Sequence, residues 1–249
     1  MRYILTEKQK QRYSRQIISP EIGEEGQERI SELKILQIGC GGLGSPFSLY
    51  LTAAGIKELT IIDNDILDIS NLQRQILYNE SQIGKDKVNS AKEVLSKLNS
   101  EVQINVFKDF IDETSIKKYL KEKNYDFIVD CSDNFKTKFL VNNIAIENNL
   151  RCVIAGIKDF YGQVITINPK KTACYQCVFS EPIGTSSEEG PLPVIGVTPG
   201  ILGTIEALEV IKTALGLPNL ENKILMVNLI DLRFNIIQIV KNDNCICST

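Results

Sequence analysis

The chain has 249 residues, 43% of them hydrophobic and 24% charged, with a formal net charge of −3. That is apolar enough for a large buried core, which excludes a disordered chain, and it lacks the basic excess of a nucleic-acid-binding surface. Histidine is absent, so no Ser–His or Cys–His nucleophile pair is available, and any structural zinc site must be built from cysteines.

Residues 1–10 are polar and charged without the apolar segment of a signal peptide, and no apolar run reaches the roughly 18 residues of a membrane span, so a cytoplasmic location is expected. Residues 6–16 predict a basic helix carrying Lys8, Lys10, Arg12 and Arg15; Pro20 interrupts it, and a second helix is expected over 21–30. Residues 33–38 predict a buried strand, running into Gly39-Cys40-Gly41-Gly42-Leu43-Gly44 and an apolar helix over 49–54 that Gly55 stops. Residues 59–62 predict the next strand, ending on Asp63, which completes a βαβ unit. A helix over 85–98 follows, with Val88, Ala91, Val94, Leu95 and Leu98 on one face. Then come a strand over 102–107, a helix over 114–123, a short strand over 126–130, a helix to Asn148 and a strand over 152–155. Strands alternating with helices predict a parallel sheet covered on both faces.

The pattern changes after Gly162. A strand is expected over 164–167, a polar loop over 181–193, a helix over 199–215, and a closing hairpin from 224–229 and 234–240. The fold class is therefore α/β, Rossmann-like and doubly wound, with a mainly parallel sheet and antiparallel strands added at the C-terminal end. With no internal repeat and no clear linker, one domain is expected: a helical segment 1–31, a nucleotide-binding core 32–160, and a remainder 161–249.

Gly39-x-Gly41-x-x-Gly44 sits between a strand and a helix, where glycines let the backbone approach a phosphate and the helix terminus offers N–H donors. Asp63 has the position of a carboxylate that binds a ribose hydroxyl pair. Together they predict a ribose-bearing nucleotide without separating NAD from ATP. Asn71-Leu72-Gln73-Arg74-Gln75 lies just past Asp63, Lys87 opens the following helix, and Asp133-Asn134 follows a strand at its carboxyl end. Two cations and a carboxylate converging on one nucleotide favour a triphosphate with magnesium, which takes oxygen ligands. A NAD-dependent oxidoreductase would share the glycine loop and Asp63 but leave Arg74, Lys87 and Asp133 without a role. A non-catalytic binding module would be expected to have lost them.

Seven cysteines without a secretion signal argue against a disulfide framework. Cys40, Cys131 and Cys152 lie on or beside strands and read as small buried hydrophobes. Cys174-x-x-Cys177 and Cys245-x-Cys247 could surround one Zn²⁺ as a closed structural site.

Arg12-Tyr13-Ser14-Arg15-Gln16-Ile17-Ile18, the 39–44 loop, Asn71–Gln75, Gly84-Lys85-Asp86-Lys87-Val88, Asp130-Cys131-Ser132-Asp133-Asn134 and the Cys174–Cys177 pair resemble the ThiF/MoeB/HesA family nearly end to end. The resemblance implies a homodimeric adenylyltransferase. Such enzymes use ATP and magnesium to adenylate the C-terminal glycine carboxylate of a small ubiquitin-like sulfur carrier ending in Gly-Gly. It implies that Gly42 contacts ATP, Asp63 holds the ribose, and Ser70, Asn71 and Arg74 line the phosphates with Gln75 nearby. It also implies that Lys87 neutralises phosphate charge, that Asp133 holds magnesium beside Asn134, and that Arg15 reaches in from the other subunit. A carboxylate nucleophile is already ionised, so no general base is needed, in keeping with the missing histidine. The carrier, and whether the pathway is thiamin, molybdopterin or another, stay open, as do family variants acting on a peptide or modified tRNA.

Two departures are visible. The second cysteine pair has one intervening residue where the family normally has two. In a regular strand i and i+2 stand roughly 6–7 Å apart at Cβ, whereas tetrahedral ligation needs sulfurs nearer roughly 3.8 Å, so zinc requires a kinked tail. The 181–193 loop has Ser186 and Ser187 where many members carry a cysteine, so no covalent intermediate is expected there.

Overall fold

The computed structural model describes residues 3–180 and 193–248; the loop expected over 181–193, with Ser186 and Ser187, lies outside the described residues but for Pro193. Three short helices open the chain: α1 (Glu7–Arg12), α2 (Ser14–Ile17) and α3 (Gly23–Ile30). The single basic helix expected over 6–16 is broken at Tyr13. The ring of Tyr13 is buried over Gly55, whose φ is +85° and where a Cβ would lie 2.2 Å from it. Its phenol oxygen accepts from Asn99 Nδ2 at 2.9 Å. Seating that ring turns the backbone out of helix.

The alternating section is β1 (Lys34–Ile38), α4 (Gly44–Ala54), β2 (Glu58–Ile62), α5 (Lys87–Leu98), β3 (Gln103–Phe107), α6 (Glu113–Glu122), β4 (Phe127–Asp130), α7 (Phe135–Glu147) and β5 (Arg151–Lys158). It is followed by β6 (Tyr161–Ile167), α8 (Tyr175–Val178), α9 (Val197–Leu215), β7 (Lys223–Asn228) and β8 (Arg233–Gln238). The strands form one eight-stranded sheet in the order β3-β2-β1-β4-β5-β6-β7-β8. β1 to β5 pair in parallel, and β5 to β8 antiparallel.

Because both faces of the parallel half are covered, neighbouring residues on one strand enter different cores. Ile35 packs with Phe47, Leu51, Leu59 and Leu202 under α4, α5 and α9; Leu36 packs with Ile116, Ile128, Phe139 and Ile144 under α6 and α7. This explains the near-continuous apolar runs of these strands. On α5, Val88, Ala91 and Leu95 are buried as the periodicity predicts, whereas Leu98 in the last turn is largely exposed. At the far edge every residue of β8 is exposed. No described helix is long and apolar enough to cross a membrane.

Candidate active site

β1 lies between β2 and β4, so the crossovers leave it in opposite directions, and a crevice opens at the carboxyl ends of β1 and β4. Open α/β sheets bind ligands at such a switch point. Here it is a cavity of about 820 Å³ whose wall includes Gly39, Gly41, Gly42, Asp63, Asn71, Arg74, Gln75, Lys87, Asp133 and Asn134.

The glycine loop is fixed from beneath. Gln37 in β1 donates through Nε2 to the carbonyls of Gly39 (2.9 Å) and Gly44 (3.3 Å). Tyr78 Oη donates to the Cys40 carbonyl at 2.8 Å and Ser45 Oγ to the Gly41 carbonyl at 2.7 Å. The glycines serve different ends. Gly39 has φ +89°, and a Cβ there would lie 2.8 Å from the Cys131 carbonyl; at Gly44 it would lie 2.5 Å from the Gly39 carbonyl. These two are demanded by packing. Gly41 would meet only Gln75 Nε2, at 3.6 Å, so its bare backbone faces open cavity. No described group accepts from the amides of Gly41 and Gly42, which immediately precede the N-cap of α4, Leu43.

Asp63, just past β2, accepts from the amides of Cys40 (2.7 Å) and Asp65 (2.8 Å), one on each oxygen. Burial pushes its carboxyl above the usual range, opposed by the charge of Lys87. A carboxylate has about four lone-pair directions, so two remain for a vicinal diol. Lys87 is 5% exposed and its Nζ lies 2.7 Å from Asp65 Oδ2. Arg74 donates from Nη1 to the Ser70 carbonyl at 2.9 Å. Asp133 is exposed on the cavity wall, and its carboxylate has no hydrogen-bond or ion-pair partner among the described residues. Beside it Asn134 caps α7, accepting from the Thr137 amide at 2.9 Å.

Four sequence-predicted binding residues are not part of the wall. Gly44 sits beneath the loop, Ser70 lends its carbonyl to Arg74, Leu72 packs against the core, and the Gln73 carbonyl abuts Gly196, where a Cβ would lie 2.1 Å away. Arg15 is also elsewhere. Its neighbour Gln16 donates to the carbonyl of Ala54 at the C-terminal end of α4, whereas the glycine loop meets the N-terminal end of that 11-residue helix, about 16 Å away.

Sequence reasoning missed much of the rest. Phe110 and Ile111, after β3, line the same cavity as the glycine loop; a phenylalanine just past a strand end was the available signal. The cavity continues past Cys131 to Gly156, Lys158, Tyr161, Gly162 and Met226 on β5, β6 and β7. Lys138, also in the wall, pairs with the buried Asp130, and the nearby carboxyl of Glu206, which accepts from Cys131, is pushed well above its ordinary value by burial. Burial likewise pushes the Cys40 thiol up to about 12, which leaves it a thiol rather than a nucleophile; Cys131 and Cys152 are buried too.

The four remaining cysteines meet at the core under α6 and α7. Their sulfurs all lie within 4.8 Å of one another, with Cys174–Cys177 at 4.0 Å, Cys174–Cys245 at 3.4 Å and Cys177–Cys247 at 3.5 Å. The single-residue spacing is accommodated because the tail is not a strand. Ile246–Ser248 is a 3-10 turn, closed by the Ser248 amide on the Cys245 carbonyl at 2.8 Å.

The model of the ThiF family matches residues 13–249. Over 244 residues the chain is 38% identical to the adenylyltransferase and sulfurtransferase MOCS3 of Xenopus laevis, covering 95% of this chain and 53% of that protein. It is 38% identical over 236 residues to the probable molybdopterin-synthase adenylyltransferase of Porphyra purpurea, covering 92% and 60%. The chain thus spans about half the length of the curated relatives it matches. Among solved structures, E. coli MccB with MccA-N7isoASN has the same fold, with a TM-score of 0.87 over 100% of this chain and 76% of that one at 24% identity. The chain belongs to the ThiF family.

Proposed function

We propose that this protein is an adenylyltransferase that uses ATP and Mg²⁺ to adenylate the C-terminal glycine carboxylate of a small ubiquitin-like sulfur carrier. The observation that carries the reading is the joining of two sites in one cavity. One half brings together free glycine-loop amides, Asp63, Arg74, Lys87 and the unpartnered Asp133; the other runs on over β5, β6 and β7, where a narrow peptide tail would lie. The names of the relatives agree with it.

In this reading Asp63 takes the ribose hydroxyls and the amides of Gly41 and Gly42 meet phosphate oxygens. Lys87 and Arg74 offset the growing charge as the carrier carboxylate attacks the α-phosphorus and pyrophosphate leaves. The nucleophile needs no base, so the chain's contribution is positioning and charge stabilisation. Asp133 offers Mg²⁺ an oxygen ligand with no competing partner, Asn134 stands beside it, and the bound ion would neutralise phosphate charge. Arg15, remote from the glycine loop of its own chain, would act across a two-fold interface, which makes the enzyme an obligatory homodimer. The four cysteines would hold Zn²⁺, since their spacing brackets the roughly 3.8 Å between sulfurs in a tetrahedral site. That site is closed, and its role structural.

The test is carrier-dependent ATP–pyrophosphate exchange with a Gly-Gly-ended protein, together with calorimetry of ATP–Mg²⁺ and of NAD. Exchange and tighter ATP binding are expected; NAD binding more tightly than ATP would overturn the reading.

A further inference from the structure

Lys138, in the cavity wall, has no part in the scheme above, yet its side chain is as enclosed as that of Lys87. It lies in the first turn of α7 and is 5% exposed. Its Nζ donates to Asp130 Oδ2 at 2.7 Å and to the Ser132 carbonyl at 2.7 Å, while Ser132 Oγ donates to the other Asp130 oxygen at 2.7 Å. Asp130, at the end of β4, is wholly buried. The ammonium therefore bridges the last residue of the strand and the carbonyl that immediately precedes Asp133.

Asp133 has no side-chain partner among the described residues, so only its backbone decides where its carboxylate stands. That backbone is held at three points. The Cys131 amide donates to the Ile38 carbonyl at 2.8 Å, Lys138 grips the Ser132 carbonyl, and Asn134 caps α7. The first point ties the loop to β1. The Cys131 carbonyl also lies 2.8 Å from where a Cβ on Gly39 would be, so the Asp133 loop and the glycine loop rest directly on each other. An ammonium held by two charge-assisted hydrogen bonds fixes direction as well as distance.

We propose that Lys138 is a positioning residue: through Ser132 and Asp130 it sets the carboxylate of Asp133 at the distance from the glycine loop that Mg²⁺–ATP requires. The inference rests on the reading of Asp133 as the metal-binding residue.

The experiment is calorimetric titration of the full-length protein with ATP, once with Mg²⁺ and once in EDTA. Removing only the ammonium leaves a buried Asp130 without its ion-pair partner, so Lys138→Met alone is expected to be strongly destabilised. The informative variant is the charge-balanced pair Asp130→Asn with Lys138→Met, with Lys138→Arg as the conservative control and thermal unfolding run alongside. In the pair, ATP affinity with Mg²⁺ should fall about tenfold, while affinity in EDTA stays within about twofold of wild type. Lys138→Arg should recover most of the metal-dependent part. An equal loss with and without the metal would make Lys138 a direct phosphate contact and overturn the inference. A folded pair with undiminished response to Mg²⁺ would overturn it alone. Wild-type affinity indifferent to Mg²⁺ would overturn the reading of Asp133, and the inference with it.

Discussion

The glycines at 41 and 44 belong to one motif but should fail in opposite ways when given a methyl group. At Gly41 the new carbon would meet only Gln75 Nε2, at 3.6 Å, and the backbone has no positive φ. Gly41→Ala should therefore leave folding stability unchanged or raise it by up to about 1 kcal/mol, through the less flexible unfolded chain. The methyl would occupy the space in which a phosphate oxygen approaches the amides. ATP–Mg²⁺ affinity should fall at least about tenfold, or about 1.4 kcal/mol. At Gly44 the carbon would lie 2.5 Å from the Gly39 carbonyl and 2.6 Å from Gln37 Nε2. One is backbone, and the other is the amide that staples both ends of the loop, so neither yields cheaply. Gly44→Ala should cost about 1–3 kcal/mol of stability, and roughly 2–4 °C of melting temperature for each of them. Denaturant titration and calorimetry measure both quantities. A folded Gly41→Ala protein that binds ATP–Mg²⁺ within twofold of wild type would refute the placing of phosphate over that residue.

Three further outcomes are expected. Arg15→Ala and Asp133→Ala chains should each be nearly inactive in exchange; mixed, with subunit exchange verified, they should recover roughly a quarter of wild-type activity, because about half the dimers carry one intact site. No recovery would place Arg15 in its own chain's site. Metal analysis should find one zinc per chain, with Cys247→Ser losing most of it; a metal-free wild-type protein purified under reducing, chelator-free conditions would rule this out. Glu206 has a carboxyl raised by burial, which Lys138 opposes and Asp130 reinforces. Such a group stabilises the fold fully below its ordinary value of 4.5 and loses that contribution as pH rises through its folded value. Glu206→Gln cannot ionise, so it should gain on wild type above about pH 5, by up to about 1.4 kcal/mol per pH unit. Parallel stability curves from pH 5 to 9 would acquit Glu206.

The parallel half of the fold was legible because its inner strands β1, β2 and β4 are buried on both faces and read as apolar runs between turn signals. That the glycine loop, Asp63, Arg74, Lys87 and Asp133 would meet at one cavity was legible because they follow strands at their carboxyl ends around a switch point. What escaped were partners supplied from a distance. Nothing around Lys87 signals that Asp65 pairs with it, nor around Lys138 that Asp130 and Ser132 share its ammonium. Gly196 looks like loop punctuation until the Gln73 carbonyl is set against it. The cysteine tail shows the reverse difficulty: the spacing of Cys245 and Cys247 is unfavourable for a strand, and only the 3-10 turn brings both sulfurs to one side.

The strand pairs of the sheet differ in how far apart along the chain their partners lie. β5 and β6 are joined by a two-residue turn, with Lys158 opposite Tyr161, and β7 and β8 by a short one, with Asn228 opposite Arg233. Hairpins of this kind close in about 1–10 μs. β1 and β4 meet only when residues 92 positions apart, Lys34 and Asp126, come together, and each such pairing must first meet the entropy of closing a long loop. The β5–β6 part of the cavity's far wall therefore has local contacts from which folding can start, whereas β7 joins it through residues 59 to 67 positions away, from Ile165–Ile224 to Tyr161–Asn228. The wall made by the loops that follow β1 and β4 takes shape only after the contact with the longest sequence separation in the sheet has formed.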